Sequence, residues 1–104
     1  MYARNVSINL KPGSADQLSQ KFEQDILPRL KRQDGFQDAI MLLSEGGKSV
    51  IAISLWDGKE SAEAYGRTTY PEVLQGLAAV TEGSLKVTVY EVASSTFHNI
   101  PAHA

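Results

Sequence analysis

An α+β sandwich, in which helices cover one face of an antiparallel sheet, is predicted by three patterns in this 104-residue sequence. Residues in Tyr2–Leu10 alternate between apolar and polar, as in a half-buried strand. An apolar stripe then recurs every four residues, as on an amphipathic helix. Two later apolar runs flank a Gly-Gly pair, which is typical of a hairpin. The length suits a single domain spanning residues 1–104.

Composition excludes several classes of protein. Ten Lys and Arg against twelve Asp and Glu give a net charge of −2, so no basic face is available for nucleic acid. The absence of cysteine excludes disulfides, thiolate metal sites and a cysteine nucleophile. The longest apolar stretch, Ser49–Trp56, is too short for a membrane-spanning helix, and the first residues lack a secretory signal pattern. We therefore expect a cytoplasmic protein with no membrane partner.

The first strand and the first helix follow directly from these patterns. Tyr2–Leu10 is predicted as a strand that Lys11-Pro12-Gly13 ends. Ser14 and Gln17 have the spacing of a capping box at a helix start. Pro28 lies within the helical pattern and lacks an N–H, so we expect a kink or an early end there. The apolar stripe of this helix consists of Leu18, Phe22, Ile26 and Leu30.

A β-hairpin is predicted after Asp34-Gly35, where glycine suits the left-handed end of a helix. Its strands are Phe36–Leu43 and Lys48–Trp56, joined by Ser44-Glu45-Gly46-Gly47. Glycine supplies the positive φ angles that a tight turn between two strands needs.

The second helix is predicted in two parts. Asp57 and Glu60 have capping-box spacing, which favours a helix over about Gly58–Tyr65. Thr68-Thr69-Tyr70-Pro71 restarts the helix, because proline suits a first turn. The apolar side of this second part is formed by Val73, Leu74, Leu77 and Val80.

The order of elements is therefore β-α-β-β-α-β. Gly83 is expected to stop the second helix, Leu85–Val92 alternates as a last strand, and Ala93–Ala104 is expected to be a tail. Right-handed crossovers fold this order into a four-stranded antiparallel sheet with helices on one face. The predicted class is a ferredoxin-like α+β sandwich.

Both faces of the two hairpin strands are apolar, although helices can cover only one face. We therefore expect a homodimer that packs sheet against sheet, the alternative being that residues 93–104 cover the second face. In the third strand, one face carries Val50, Ala52, Ser54 and Trp56, and the other carries Ile51, Ile53 and Leu55. In the second strand, the corresponding sets are Phe36, Ile40 and Leu42 against Ala39, Met41 and Leu43.

Four segments, in this order and spacing, resemble the antibiotic biosynthesis monooxygenase superfamily. They are Lys11-Pro12-Gly13, Ile26-Leu27-Pro28, Gln33-Asp34-Gly35-Phe36 and the run Ser54-Leu55-Trp56-Asp57-Gly58-Lys59-Glu60-Ser61-Ala62. The resemblance covers roughly 2–92. It implies a dimeric α+β barrel with a pocket between each sheet and its helices. Some family members are oxygenases that need no cofactor, others degrade haem, and many have no established activity.

The resemblance implies a cofactor-independent monooxygenase that oxidises a small phenolic, quinol or polyketide-like aromatic compound with O2. No metal and no other cofactor is expected. The alternative is a non-catalytic dimer of the same fold that binds a small ligand or has a stress-related role, since fold alone does not determine function.

Seven residues are candidates for the substrate pocket. Trp56 matches a strand-end tryptophan of the family, and its indole could stack on a planar ring; the alternative is a core residue whose N–H bonds a backbone carbonyl. Asn5 lies on the strand where family members use an asparagine, although alignment on Gly13 places Val6 at that position. Hydroxyl or guanidinium groups that could hold substrate oxygens belong to Ser54, Tyr65, Arg67, Tyr70 and Tyr90.

The two histidines, His98 and His103, both lie in the predicted tail. Family members that degrade haem place an iron-binding histidine after the tryptophan strand, whereas Gly58–Val80 contains none. This departure argues against haem degradation, and two isolated histidines make no metal site. Ser95-Thr96-Phe97-His98 is expected to pack back over the dimer.

Overall fold

The computed structural model describes residues 1–96, which form a four-stranded antiparallel sheet with helices against one face. The strand order is β2-β3-β1-β4, which confirms the ferredoxin-like arrangement. The strands are β1 (Tyr2–Leu10), β2 (Phe36–Leu43), β3 (Ser49–Trp56) and β4 (Thr81–Glu91). The helices are α1 (Ala15–Lys21), a π-helical segment (Phe22–Ile26), α2 (Leu27–Lys31), α3 (Lys59–Thr68) and α4 (Tyr70–Leu77). Within residues 1–96, none of these helices has the length and apolarity needed to cross a bilayer.

The first helix does not end at Pro28, because a π-helical segment precedes the proline. The N–H of Leu27 donates to the carbonyl of Phe22, five residues back. This wider turn places Pro28 in the first turn of α2, where its missing N–H needs no partner. The helical stripe therefore continues to Lys31.

Neither predicted capping box forms. Ser14 has φ −97° and ψ 0°, outside the extended conformation in which its hydroxyl would reach the helix N–H groups. At the start of α3, the extended residue is Gly58, so Asp57 lies one residue too early to cap. The helices begin near the predicted positions, but their ends are held by backbone contacts: the N–H of Ser14, for example, donates to the carbonyl of Lys11 at 3.1 Å.

A β-bulge in β2 changes which residues share a face. Phe36 pairs with Trp56 and Asp38 pairs with Leu55, so Gln37 is an extra residue in β2. The predicted grouping of Phe36 with Ile40 and Leu42 is therefore wrong. Phe36 shares the helix-covered face of the sheet, where its ring contacts Trp56 edge-on at 5.7 Å.

Gly83 does not stop the second helix, which ends at Leu77. It lies inside β4 with φ +70°, where the pairing with β1 shifts between Ser7 and Asn9. The positive φ of a glycine allows such an irregularity, so β4 begins at Thr81 rather than at Leu85.

The two faces of the sheet have different surroundings in the described chain. Val6, Ile8 and Val50 are buried beneath the helices. On the opposite face, Ile40 and Leu42 are 39% and 49% exposed. An apolar surface on this second face of β2 and β3 is thus confirmed. The outer part of the predicted tail, 97–104 with His98 and His103, lies outside the described residues.

Candidate functional site

A cavity of about 60 Å³ lies between the helix-covered face of the sheet and the helices. Its walls are mainly apolar and come from every layer of the fold. The π-helical segment contributes Phe22 and Ile26, α4 contributes Val73 and Leu77, and β2 contributes Met41. An apolar cavity in this position excludes water from whatever binds there.

The stripe predicted on the first helix forms one wall of this cavity. Leu18 and Leu30 are 2% and 4% exposed, and both line the cavity. Phe22 and Ile26, which lie between them, are only partly buried and line it as well. The cavity therefore lies where the π-helical segment passes over the sheet.

Among residues 1–96, four polar side chains also line the cavity: Arg4, Ser54, Tyr65 and Tyr70. Arg4 and Ser54 face each other across the β1–β3 pairing and point to the same face. The guanidinium carbon of Arg4 lies 4.4 Å from the ring centre of Tyr70 and 5.0 Å from that of Tyr65. The polar lining is thus a cluster around Arg4.

Arg4 is a buried cation, since the residue is 5% exposed. Among residues 1–96, no carboxylate forms an ion pair with it. Contacts with the faces of Tyr65 and Tyr70 offset part of the cost of burial through cation–π attraction. Burial still lowers the pKa of Arg4 below its ordinary value, so the positive charge is only partly compensated.

The two tyrosines are held by aromatic packing. The ring of Tyr65 stacks on the indole of Trp56, with centres 5.0 Å apart and planes 30° apart. The ring centre of Tyr70 lies 6.1 Å from that of Tyr65. The hydroxyl of Tyr70 is buried and has no hydrogen-bond partner within the described part of the chain. An unsatisfied buried hydroxyl is costly and therefore calls for an explanation.

Neither tyrosine can act as a base near neutral pH. Burial raises the pKa of Tyr65 to about 12, although the nearby Arg4 cation opposes the rise. Burial also raises the pKa of Tyr70. Both hydroxyls therefore keep their protons and are suited to donate hydrogen bonds to an oxyanion.

The pKa of Tyr65 predicts a loss of stability at alkaline pH. Its pKa is about 12 in the folded protein and about 10 in the unfolded chain. The stabilisation is thus complete below pH ~10 and is lost as the pH rises toward ~12. We expect the free energy of unfolding, measured in urea, to fall by up to about 3 kcal/mol over that interval. Tyr65→Phe should flatten this decline, whereas Tyr90→Phe should leave it unchanged; equal declines in all three proteins would contradict the prediction.

Three of the seven predicted pocket residues meet in the cavity, namely Ser54, Tyr65 and Tyr70. Trp56 does not line it, because its side chain is fully buried beneath Tyr65. The indole N–H donates to the hydroxyl of Ser54 at 2.9 Å rather than to a backbone carbonyl. The structure thus favours Trp56 as a core residue that supports the cavity wall.

The other three candidates lie away from the cavity. Asn5 alternates with Arg4 and Val6 along β1, so it lies on the opposite face of the sheet. Tyr90 lies on that same opposite face and is 53% exposed. Arg67 is exposed near the end of α3 and does not line the cavity. One position along a strand reverses the face, which separates Asn5 from the site.

Arg4 is a cavity-lining residue that the sequence analysis missed. The sequence did indicate its position, because the alternation of β1 places Arg4 on the same face as the apolar residues Val6, Ile8 and Leu10. A charged residue on the apolar face of a strand lies either at an exposed edge of the sheet or buried inside the protein. Its burial shows that the second explanation applies.

No group of three or more His, Asp or Glu side chains in residues 1–96 is arranged to hold a metal ion. The acidic residues near the cavity instead pair on the protein surface. Arg29 binds Asp25 on its own helix at 3.0 Å and Glu72 of α4 at 2.6 Å. This network joins the first helix to α4 outside the cavity.

No protein-family model matches the sequence, and no curated protein matches it either. Solved structures do match. A monooxygenase from the gene ActVA-Orf6 of Streptomyces coelicolor, in complex with nanaomycin D, has a TM-score of 0.77 at 14% identity over 90% of this chain and 88% of that one. An antibiotic biosynthesis monooxygenase has a TM-score of 0.72 at 9% identity, over 90% and 100% of the two chains. This chain has the antibiotic biosynthesis monooxygenase fold.

The same fold is found in proteins that bind different molecules. A variant of MhuD, with two manganese protoporphyrin IX molecules bound per active site, has a TM-score of 0.74 at 17% identity over 92% of this chain and 98% of that one. Another matching structure is that of a Nitrosomonas europaea protein of unknown function. At these identities, the antibiotic biosynthesis monooxygenase fold is what the chains share, and the chemistry must be argued from the cavity of this one.

Proposed function

We propose that this protein is a cofactor-independent monooxygenase that oxidises a small phenolic, quinol or polyketide-like aromatic compound with O2. The observation that carries the proposal is the apolar cavity with its polar cluster around Arg4. Such a cavity would hold an aromatic ring away from water and an oxygen substituent near a cation. The nanaomycin D complex of a protein with this fold supports an aromatic ligand.

The proposed reaction takes its electrons from the substrate itself. A phenol with an unsubstituted para carbon loses its proton, and the resulting phenolate transfers an electron to O2. One oxygen atom then forms a bond to the para carbon and becomes the second carbonyl of a p-quinone. The other oxygen leaves as water with the phenolic hydrogen and the hydrogen of the broken C–H bond. No flavin, metal or external reductant is needed for this balance.

The residues of the cavity would promote this reaction by orientation and electrostatics. The cation of Arg4 stabilises a phenolate, and the apolar walls strengthen that interaction by excluding water. The described residues that line the cavity offer no base for neutral pH, since the pKa values of Tyr65 and Tyr70 are both raised. The proton therefore has to pass to solvent, which favours phenols that ionise readily.

The size of the cavity limits the substrate. Its volume of about 60 Å³ is well below the ~300–1,000 Å³ of typical ligand sites. Binding therefore requires the helices to move apart, and we propose that single-ring substrates are preferred over polycyclic ones. The same limit argues against a porphyrin, since histidine is absent from residues 1–96 and the space is far too small.

Oxygen uptake with 2,6-dimethoxyphenol, an electron-rich phenol with a free para carbon, tests the proposal. We expect uptake above the buffer rate, with one quinone formed per O2 consumed. Ala52→Leu places a larger side chain in the cavity wall and should reduce the rate by at least ~10-fold, because the ring can no longer be positioned. Ala64→Leu, on α3 and away from the cavity lining, is the matched control and should keep the wild-type rate.

Uptake at the buffer rate across a panel of phenols and hydroquinones would contradict the monooxygenase proposal. It would favour the second candidate, a non-catalytic protein that binds a small ligand in the same cavity. The specific observation behind this candidate is that residues 1–96 give the cavity polar groups for binding but none that can accept a proton at neutral pH.

We further propose that the protein acts as a cytoplasmic homodimer, as its sequence predicts. The support is the apolar surface on the sheet face opposite the helices, where Ile40, Leu42 and Ile51 are 39%, 49% and 38% exposed. A second copy placed sheet against sheet would remove these side chains from water, at a gain of about 25 cal/mol per Å² of apolar area. Sedimentation at micromolar concentration distinguishes the dimer from a single 11.3 kDa chain.

A further inference from the structure

Arg4 is a charge that the described chain buries without neutralising. Burial of a cation costs several kcal/mol unless an anion or hydrogen-bond acceptors compensate it. Among residues 1–96, Arg4 has no ion pair, and its identified contacts are the faces of Tyr65 and Tyr70. Among residues 1–96, no hydrogen bond joins the guanidinium N–H groups of Arg4 to a carboxylate or carbonyl oxygen, so these groups are available to a ligand in the cavity that Arg4 lines.

A second group beside Arg4 is also without a partner. The hydroxyl of Tyr70 is buried, lines the same cavity as Arg4 and makes no hydrogen bond within the described residues. The burial that raises its pKa keeps the proton on the oxygen, so the hydroxyl is a donor. A cation and an unused donor therefore face one apolar space, and both are complementary to an acceptor that carries negative charge.

We propose that Arg4 and the Tyr70 hydroxyl form an anion-binding site that takes the oxyanion of a singly charged aromatic ligand. A single buried cation balances one negative charge, which disfavours phosphate and dicarboxylates. The apolar walls, including Phe22, Ile26 and Val73, fit an aromatic body rather than a hydrated one. The oxyanion is a carboxylate or a phenolate, since both offer charged oxygen at the edge of a planar ring.

This inference rests on the proposed function for the location of the ligand, and it extends that function by naming the charge and the two residues that recognise it. Binding, rather than turnover, is the measurement that tests it. The two proposals can therefore fail separately. Anion binding without oxygen uptake would contradict only the proposed oxidation. Oxygen uptake without a preference for anions would contradict only the proposed anion-binding site.

Titration calorimetry with benzoate, 4-nitrophenolate and benzamide separates charge from shape. Benzamide matches benzoate in size but is neutral. We expect benzoate or 4-nitrophenolate to bind at least ~10-fold more tightly than benzamide, because hydrogen bonds to a charged group are worth more than neutral ones. The anion that binds more tightly identifies the carboxylate or the phenolate as the preferred group.

Two variants assign the effect to residues. Arg4→Met keeps a long apolar side chain without the charge, and it should bind the tighter anion no better than benzamide. Tyr70→Phe should lower the affinity for that anion by about fivefold, as expected for the loss of one hydrogen bond. Tyr90→Phe, on the opposite face of the sheet, is the matched control and should bind as the wild type does.

Arg4→Met should remain folded, because it removes a buried charge and leaves no partner charge behind among residues 1–96. Its unfolding midpoint in urea, compared with that of the wild type, checks this directly. If Arg4→Met proves unfolded, Tyr70→Phe and the comparison of both anions with benzamide in the wild type still decide the proposal. The proposal would be overturned if neither benzoate nor 4-nitrophenolate bound more tightly than benzamide, or if both Arg4→Met and Tyr70→Phe kept full affinity for the anion.

Discussion

Replacing Trp56 with alanine is expected to lower the free energy of unfolding by about 3–5 kcal/mol, the usual cost of removing a large buried aromatic side chain. The indole is fully buried and contacts two other rings, Phe36 edge-on at 5.7 Å and Tyr65 by stacking at 5.0 Å. Its loss would leave a cavity at the end of β3 and would release Tyr65 from its position. Equilibrium unfolding in urea, at a fixed protein concentration, measures the effect.

The hydrogen bond from the indole N–H to Ser54 provides an internal control for this prediction. Trp56→Phe keeps most of the aromatic packing but removes the donor, and Ser54→Ala removes the acceptor. The two variants and their combination form a cycle in which we expect a coupling of about 1 kcal/mol. A cost below about 1 kcal/mol for Trp56→Ala would contradict the role of the indole as a core residue.

The same variants separate support of the cavity from contact with a ligand. Trp56 does not line the cavity, so Trp56→Phe should bind benzoate with the affinity of the wild type. A pocket-lining tryptophan would instead contribute stacking energy, and its replacement would weaken binding. Retention of affinity together with lower stability is thus the expected signature of a residue that acts only through packing.

Local sequence patterns predicted the elements of the fold well, because each depends on residues close together in the chain. The alternation in Tyr2–Leu10 matches β1 in both bounds. The Gly-Gly pair adopts φ angles of +82° and +68° at the predicted hairpin turn. Pro71 lies in the first turn of α4, as its fixed φ favours.

Features that depend on pairing between distant segments were not predictable in the same way. The extra residue Gln37 appears only when β2 is aligned with β3, and it reverses the face of Phe36. The conformation of Gly83 likewise depends on the shift in register between β4 and β1. A glycine at a helix end and a glycine at a β-bulge have the same local preference for positive φ, so the sequence alone did not distinguish them.

The candidate site shows the same division between residue type and position. Tyr65 and Tyr70 were predicted from their polar groups after β3, and Ser54 from its hydroxyl within β3. All three line the cavity. Asn5 was preferred on β1 because members of the similar family use an asparagine on this strand, yet the alternation of β1 assigns the inner face to Arg4. The alternation of side chains along a strand was the better criterion for choosing site residues, because it decides which side chains lie on the face that borders the cavity.

Gly35→Ala is expected to destabilise the protein by about 2–4 kcal/mol, through two separate effects. Gly35 has φ +82°, a conformation that costs an L-residue energy. A Cβ atom at this position would also overlap the side chains of Asp57 and Ser61. The backbone is fixed there, because the N–H of Asp57 donates to the carbonyl of Gly35 at 2.8 Å. Urea unfolding of the variant measures the sum of both effects.

Gly13→Ala separates backbone strain from steric overlap. Gly13 has a similar φ of +74°, but a Cβ atom there would meet no other atom within 4 Å. Its alanine variant should therefore cost only the backbone term, about 1–2 kcal/mol. The excess cost at Gly35 then reports how closely the start of β2 approaches the start of α3. Equal costs at the two glycines would mean that Asp57 and Ser61 move aside freely, and that this contact does not hold the end of β3 and its buried Trp56 in place.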